Sequence, residues 1–195
     1  MLAGQFFAEC LAFLDSAPPP PPAATNPFAS PVVSALATSL DGFDTYTLAV
    51  TLTGTATNVY TIYGNGDSPM SVPAGYQEAT PFGANIGGTN PAFWALVAGS
   101  QYDSWLTVGI TNGDSSGALS SIGIDFNAWT VDSALSTSDG AVFWMAPENG
   151  PAAGTDAVVA QVTVSAGSSG RASMGMQGRS SEGEDWRADN IEFTY

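Results

Sequence analysis

The sequence predicts an all-β protein: an antiparallel β-sandwich of jelly-roll type, preceded by a short N-terminal helix or arm and a polyproline linker. After residue 32, apolar and polar residues alternate with a period of two in several segments. Clusters of Gly, Pro, Asn and Asp separate these segments, in a chain with 22 Gly and 13 Pro. With 195 residues and 44% apolar content, the chain suits one domain that has its own core.

The first 16 residues differ from the rest, because their apolar side chains lie near helical spacing and predict an amphipathic arm. Those side chains belong to Phe6, Phe7, Leu11, Phe13 and Leu14. A linker is predicted over 17–31, where the run of five prolines at 18–22 favours a stiff polyproline II spacer. The arm is too short to span a membrane and lacks the basic start of a secretory signal. It docks on its own domain, remains from a longer precursor, or inserts into a neighbouring copy.

The sandwich domain is predicted over 32–195, and its clearest strand covers 45–53. There Tyr46, Leu48 and Val50 lie on one face while threonines occupy the other, as in a strand with one buried face. Similar alternation predicts further strands at 59–63, 105–111, 121–129, 157–164, 172–178 and 191–195. Residues 141–145 are apolar on both faces, which predicts a central strand. These segments together suit an antiparallel sandwich.

The charge of the chain excludes several classes of partner. There is no lysine and no histidine, and Arg171, Arg179 and Arg187 stand against 18 carboxylates. A net charge of −15 repels phosphate backbones and anionic lipid heads, so we expect neither nucleic-acid binding nor direct membrane insertion. Only 11% of residues are charged, and a Ser-, Thr- and Gly-rich surface is typical of secreted or matrix proteins. The expected location is extracellular or at the cell surface, with an organellar lumen as the alternative.

The sequence offers little catalytic machinery, so the prediction is that the protein is not an enzyme. The absence of histidine removes the commonest general base, and one cysteine, Cys10, cannot build a zinc site or an internal disulfide. Glycoside hydrolysis would need a pair of carboxylates. The segment 121–127 places only Asp125 on the outer face of its predicted strand. No catalytic residue is therefore assigned, and no cofactor is expected apart from calcium.

Two acidic loops are the candidates for that calcium. Asn65 and Asp67 lie in one Asn-Gly-Asp-Ser turn, and Asn112 and Asp114 lie in another. The Asn-Gly and Gly-Asp steps in these turns are first of all typical of hairpins, because Asn and Gly tolerate positive φ. Oxygen ligands from Asp, Asn and backbone carbonyls are also what calcium prefers. The turns therefore predict either simple hairpins or a calcium site.

Aromatic residues suggest a second kind of site. Trp105 lies on the face of its predicted strand opposite Leu106 and Val108, beside Tyr102 and Asp103. An exposed aromatic ring next to acidic side chains can stack on a sugar or on a neighbouring subunit. Trp105, Tyr102 and Asp103 are therefore predicted to contact a glycan or a partner.

Four phrases resemble a domain of uncharacterised proteins from marine unicellular algae. They are VYTIYGNGDSPM at 59–70, TPFGANIGGTNPAFW at 80–94, QYDSWLTV at 101–108 and AVFWMAP at 141–147. The resemblance covers roughly residues 57–195. It implies an algal surface or matrix module and transfers no catalytic residue.

Three functions follow as hypotheses. The first is a structural protein that assembles with copies of itself into an extracellular filament, sheet or matrix through its N-terminal arm. The alternative is a lectin-like module that binds polysaccharide with the help of calcium. A third is an accessory subunit of a larger organellar complex, whose acidic surface meets a basic partner.

Overall fold

The computed structural model describes residues 26–195, so the predicted arm and most of the predicted linker lie outside the described residues. The described part contains eleven β-strands and short 3-10 turns but no α-helix. The strands are β1 (Ala29–Ala35), β2 (Phe43–Leu52), β3 (Thr61–Gly64), β4 (Met70–Val72), β5 (Trp105–Leu106), β6 (Leu119–Ile122), β7 (Leu135–Thr137), β8 (Gly140–Trp144), β9 (Asp156–Ser165), β10 (Arg171–Arg179) and β11 (Asp185–Thr194). Within 26–195, no helix is long and apolar enough to cross a membrane.

The strands form two sheets, and every strand pair is antiparallel. The smaller sheet has the order β1-β2-β9-β5. The larger sheet runs from β6 through β8 and β3 to β10 and β11, with β4 pairing β10 beyond the end of β3 and β7 pairing β4. The chain crosses repeatedly from one sheet to the other, as jelly-roll sandwiches do. The predicted all-β antiparallel sandwich is confirmed.

The core lies between the inner faces of the two sheets, where apolar side chains alternate along each strand. Leu48 and Val50 of β2 meet Ile62 of β3, Met174 of β10 and Phe193 of β11 in one buried cluster. Each such side chain contributes about 1.5–3 kcal/mol when fully buried. β1 and β11 contact each other at one side of the sandwich. The opposite edges are β5 and β6, where the candidate site lies.

The predicted boundary between linker and sandwich is wrong, because the sheet begins before residue 32. β1 starts at Ala29, and Phe28 already stacks on Trp186 with ring centroids 5.7 Å apart. Pro31 is tolerated in β1 because this strand is at the edge of its sheet, where the missing N–H leaves no partner unsatisfied. A proline that suggests a linker in sequence is here part of an edge strand.

Two predicted strands are shorter than expected. The strand predicted over 121–129 ends at Ile122, because Gly123 has a φ of +67° and Asp125 then caps a 3-10 turn. The strand predicted over 105–111 ends as β5 at Leu106, and Gly109 lies at a φ of +84° against Pro151. Asp125 is therefore a turn residue and not an outward residue of a strand.

Candidate functional site

A long excursion, residues 73–104, covers the outer face of the smaller sheet. Its first end is fixed by the N–H of Tyr76, which donates to the carbonyl of Thr163 at 2.7 Å. Its second end is fixed by Ser104, whose Oγ accepts the Thr163 N–H at 3.0 Å. Beneath the excursion, the hydroxyls of Thr45 and Thr163 are hydrogen-bonded to each other at 2.8 Å and buried. The predicted solvent face of β2 is thus buried at Thr45, while Thr47 and Thr51 remain partly exposed.

Asp103 is the buried anchor of this excursion, with a relative exposure of 0%. Its Oδ1 accepts the N–H of Glu78 at 2.8 Å, and its Oδ2 accepts the N–H of Ala84 at 2.6 Å. Burial raises the pKa of Asp103 to about 7, and the nearby Glu78 charge acts in the same direction, although the hydrogen bonds from Ala84 and Glu78 oppose the shift. The prediction that Asp103 contacts a ligand is wrong, because no part of it reaches solvent.

Trp105 is also covered by the excursion, and only 3% of its surface is exposed. The prediction of a freely stacking ring is therefore wrong. What remains exposed helps to line a pocket of about 290 Å³, together with Trp94, Thr89 and Gln161. The indole N–H of Trp94 donates to the Oγ1 of Thr89 at 3.1 Å, which fixes the ring beside this pocket. Tyr102 is half-buried in the turn before Asp103 and does not line the pocket.

A larger cleft of about 610 Å³ opens beside β5 and β6, on the other side of Thr89. The rings of Phe82 and Phe93 meet edge to face in its wall, with centroids 5.5 Å apart. Ile86 adds a further apolar contact, and the amides of Asn90 and Asn112 lie at its exposed margin. The full lining comprises Pro81, Phe82, Gly83, Ala84, Ile86, Gly88, Thr89, Asn90, Phe93, Asn112, Gly113, Asp114, Ser115, Gly117 and Leu119.

Local backbone geometry explains why these residues form a cleft. Asn90 caps the 3-10 turn Pro91–Phe93, because its Oδ1 accepts the N–H of Ala92 at 2.9 Å. Gly88 pairs with Asn112 in an isolated bridge and has a φ of +77°. A Cβ on Gly88 would collide with the backbone of Thr111. Glycine at this position lets the excursion approach the loop that carries Asn112.

Asp114 shapes the opposite wall of the cleft. Its Oδ1 accepts the N–H of Ala118 at 3.0 Å, and its Oδ2 accepts the N–H of Leu119 at 2.7 Å. Partial burial acts to raise the pKa of Asp114, but the hydrogen bonds from Leu119 and Ala118 outweigh it and leave the pKa lowered. Asp114 is thus a stable anion whose oxygens are occupied by its own loop. It is the only ionisable residue among the described residues that line the cleft.

The second predicted calcium loop lies elsewhere in the sandwich. Asn65 accepts the N–H groups of Asp67 and Ser68, at 2.9 and 2.8 Å, in the turn between β3 and β4. Its amide donates to Asp189 of β11 at 2.8 Å. Neither Asn65 nor Asp67 lines the cleft that holds Asn112 and Asp114. The turn interpretation fits both loops, while the calcium site stays a prediction; among the described residues, no three His, Cys, Asp or Glu side chains cluster around one position.

The cleft residues that sequence reasoning missed are Phe82, Asn90 and Phe93. They lie in the phrase at 80–94, which has neither helical nor strand periodicity. A usable signal was present in the Asn90-Pro91 step, since Asn before Pro favours a capped turn that exposes its flanks. The cleft and the smaller pocket share Thr89 and contain four aromatic rings, amides and hydroxyls, and none of the described residues that line them is a cation. This lining can stack on an apolar ring face and hydrogen-bond to neutral polar groups.

Comparisons with known proteins find no matching family model, no matching curated protein and no matching solved structure. The resemblance to an algal domain therefore stays an expectation. Function has to be argued from the chemistry of the site itself.

Proposed function

We propose that this chain is a non-enzymatic carbohydrate-binding module whose ligand is a neutral polysaccharide. The observation that carries the proposal is the lining of the 610 Å³ cleft, where the Phe82–Phe93 pair lies beside the amides of Asn90 and Asn112. Sugars present an apolar ring face and an edge of hydroxyls, so they need an aromatic surface next to neutral hydrogen-bonding groups. The adjacent pocket of about 290 Å³, where the half-buried Trp94 lies beside Thr89 and Gln161, extends the same chemistry.

Electrostatics favours a neutral ligand over a charged one. The only charge in the described lining belongs to Asp114, and the whole chain carries −15. A sulfated or carboxylated polysaccharide would be repelled by this field. A cationic ligand would need a free carboxylate, whereas both oxygens of Asp114 already accept hydrogen bonds from its own loop.

The same lining argues against hydrolysis of the bound sugar. A glycoside hydrolase needs two carboxylates about 5–10 Å apart across the scissile bond, one of them with a raised pKa. The described residues of the cleft supply Asp114 alone, and its pKa is lowered. The proposed activity is therefore retention of a glycan and not its cleavage.

Affinity electrophoresis through gels that contain a soluble β-glucan, a mannan or a xylan tests this proposal. We expect retardation in at least one neutral polysaccharide and none in a sulfated galactan. Phe82→Ala should weaken binding at least about tenfold, because about 1.4 kcal/mol of stacking and burial is lost. Asn112→Ala should weaken it in the same direction through lost hydrogen bonds.

Phe143→Ala is the matched control, because Phe143 is a half-buried phenylalanine of β8 that does not line the cleft. It should bind the polysaccharide as the wild type does. Loss of binding in Phe143→Ala with retention in Phe82→Ala would contradict the cleft as the site. Absence of retardation in every neutral polysaccharide would contradict the proposed function itself.

The predicted role of calcium is tested by repeating the electrophoresis in EDTA and in calcium. Unchanged mobility would mean that the protein binds without the ion, as expected if Asp114 only orders its loop. A loss of retardation in EDTA would support calcium assistance, and Asp67→Asn and Asp114→Asn would then identify the loop that binds it.

Self-assembly through the N-terminal arm is the second candidate function, favoured by the position at which the arm joins the sandwich. The described chain enters β1 directly, and among the strands of residues 26–195 β1 is an edge strand that pairs only with β2. An edge strand offers unpaired N–H and C=O groups to a segment of another copy. Deletion of residues 1–24 should then leave a folded sandwich that no longer forms polymers in negative-stain micrographs. Polymers of normal length from the truncated chain would refute assembly through the arm.

We keep an extracellular or cell-surface location as part of this proposal, supported by the Ser- and Thr-rich composition and by the small share of charged residues, 11%. The accessory-subunit hypothesis has no specific contact in its favour. Its test is co-purification of a basic partner with the tagged protein from an organellar extract at low salt.

A further inference from the structure

The outward face of the larger sheet carries all the cations of the chain. We call it the arginine face: the solvent-facing side chains of β3, β6, β8, β10 and β11, together with Met145 just after β8. Arg171 and Arg179 project from β10 and Arg187 from β11, each on the side away from the buried cluster. On the same face, Tyr63 of β3 packs across Gly175 of β10, where a Cβ would collide with its ring.

Each arginine is paired with a carboxylate of β11. Arg171 binds Glu192 at 3.0 Å, Arg179 binds Asp185 at 2.8 Å and Arg187 binds Asp189 at 3.0 Å. Two tyrosines complete the pattern, because Tyr60 donates to Asp185 at 2.6 Å and Tyr63 to Asp189 at 2.8 Å. The guanidiniums of Arg179 and Arg187 also lie over the rings of Tyr60 and Tyr63, at 5.4 and 4.9 Å. These contacts hold the charges in a fixed, alternating arrangement.

The other half of the arginine face is apolar. Across β8 and β6, Ala141 and Phe143 lie in the same cross-strand rows as Tyr63 and Thr61, and Ile122 faces Ala141. Ile122 is 67% exposed and Met145, just after β8, is 64% exposed. Exposed apolar side chains that are grouped on one sheet face, unlike those scattered singly, mark a surface at which a partner can bind. The arginine face thus has two halves: one carries ion pairs, and the other carries exposed apolar side chains.

We propose that the arginine face is the interface of a two-fold dimer, occupied by a second copy of this chain. Two copies that each carry −15 repel one another over most of their surfaces, because the remaining 15 of 18 carboxylates have no arginine to balance them. On the arginine face alone, three cations balance three anions, so two copies can approach there without net repulsion between the paired groups.

Two-fold symmetry suits the pattern of this face. An isologous contact presents the same patch from both sides, so the patch has to be complementary to itself. Alternating Arg and Asp along β11 meets that condition, because an antiparallel copy can place Arg187 against Asp185 or Asp189. The apolar half with Ile122 and Met145 supplies the area that becomes buried. The dimer is independent of the glycan cleft, whose lining contains none of these residues.

Sedimentation equilibrium of the full chain at several concentrations and salt levels tests the dimer. We expect a reversible dimer that tightens as ionic strength rises from about 10 to about 150 mM, because the Debye length falls from about 30 to about 8 Å and screens the net repulsion. A monomer at every concentration and salt level would overturn the proposal.

Single substitutions then identify the interface. Ile122→Asp should weaken dimerisation at least tenfold, since it places a charge in the apolar half, and Met145→Asp should do the same as a second, independent variant. Leu96→Asp is the matched control, because Leu96 is 74% exposed, is absent from the arginine face, and gives the same change in charge. Thermal unfolding checks that all three variants remain folded. Dimerisation that is unaffected by both Ile122→Asp and Met145→Asp, or that is equally weakened by Leu96→Asp, would overturn the assignment.

Discussion

Asp103→Ala is expected to destabilise the protein by about 2–4 kcal/mol near pH 5.5, because it removes the acceptor of two main-chain N–H groups in the excursion. Those donors belong to Glu78 and Ala84, and both bonds are shorter than 3.0 Å. Loss of these hydrogen bonds should change the cleft first, since Gly83 and Ala84 are part of its lining. Polysaccharide binding should therefore weaken in this variant even at temperatures at which the sandwich remains folded.

The effect of Asp103→Ala should depend on pH, because the pKa of Asp103 is raised to about 7 by burial. In the unfolded chain this carboxyl has an ordinary pKa near about 3.9. Between these two values the folded state holds a proton that the unfolded chain has lost. The Asp103 contribution to the free energy of unfolding therefore falls as pH rises through about 4–7, by at most about 1.4 kcal/mol per pH unit. Above about pH 7 it becomes constant.

Urea unfolding of the wild type and of Asp103→Ala at half-unit steps from pH 5.5 to 8.0 measures this dependence. The difference in unfolding free energy between the two proteins should shrink as the pH rises toward 7. Asp114 and Asp185 have lowered pKa values, so they do not titrate in this window. Asp125→Ala is the control, because it removes an exposed carboxylate that accepts only the N–H of Asn127. A constant difference across the series would mean that Asp103 is ionised at all these pH values.

The strands with strict alternation could be predicted from sequence because their side chains report directly which face is buried. β2, β9 and β10 lie within a few residues of the predicted segments 45–53, 157–164 and 172–178. β1 could not be predicted in the same way, since Pro27 and Pro31 carry the signature of a linker. Whether a proline ends a strand depends on whether that strand is at an edge, and strand order is not a local property of sequence.

The candidate site was harder to predict than the fold. Trp105 and Asp103 are buried by the 73–104 excursion, which adds a third layer over a sheet face that alternation marks as solvent-exposed. An irregular segment has no period from which its position can be inferred. The cleft also depends on a close approach between Gly88 and Thr111, two segments far apart in the chain. The sequence shows the aromatic and amide residues of the chain, but it does not show which of them lie together in the cleft.

Trp186→Ala is expected to cost about 3–5 kcal/mol, the usual range for removing a large aromatic side chain from a core. Trp186 is buried in β11, and its Nε1–H donates to the carbonyl of Asn58 at 2.7 Å. Its ring stacks on Phe28, the residue just before β1. By packing on Phe28, Trp186 thus stabilises the segment through which the chain enters the sandwich. Its loss should loosen Phe28 as well as lower global stability.

Trp186→Phe separates the two roles of this side chain, because it keeps a ring beside Phe28 but removes the donor to Asn58. We expect it to cost about 1–3 kcal/mol, from one buried carbonyl without its partner and a smaller ring. Trp129→Phe is the matched control, since Trp129 is buried in the same cluster and its Nε1–H also donates to a carbonyl, that of Pro73, at 2.7 Å. Urea unfolding should give similar losses for these two variants.

Limited proteolysis with chymotrypsin distinguishes local from global effects of the tryptophan variants. Cleavage after Phe28, identified by mass spectrometry, should accelerate strongly in Trp186→Ala and much less in Trp186→Phe or in Trp129→Ala, which removes an aromatic ring of the same buried cluster and should lose a similar amount of global stability. The reason is that only the first variant removes the ring on which Phe28 stacks. Equal acceleration in Trp129→Ala and Trp186→Ala would mean that cleavage follows global unfolding. In that case the contact between Trp186 and Phe28 would not stabilise the start of β1 locally. Assembly through the arm would then lack a rigid attachment at this position.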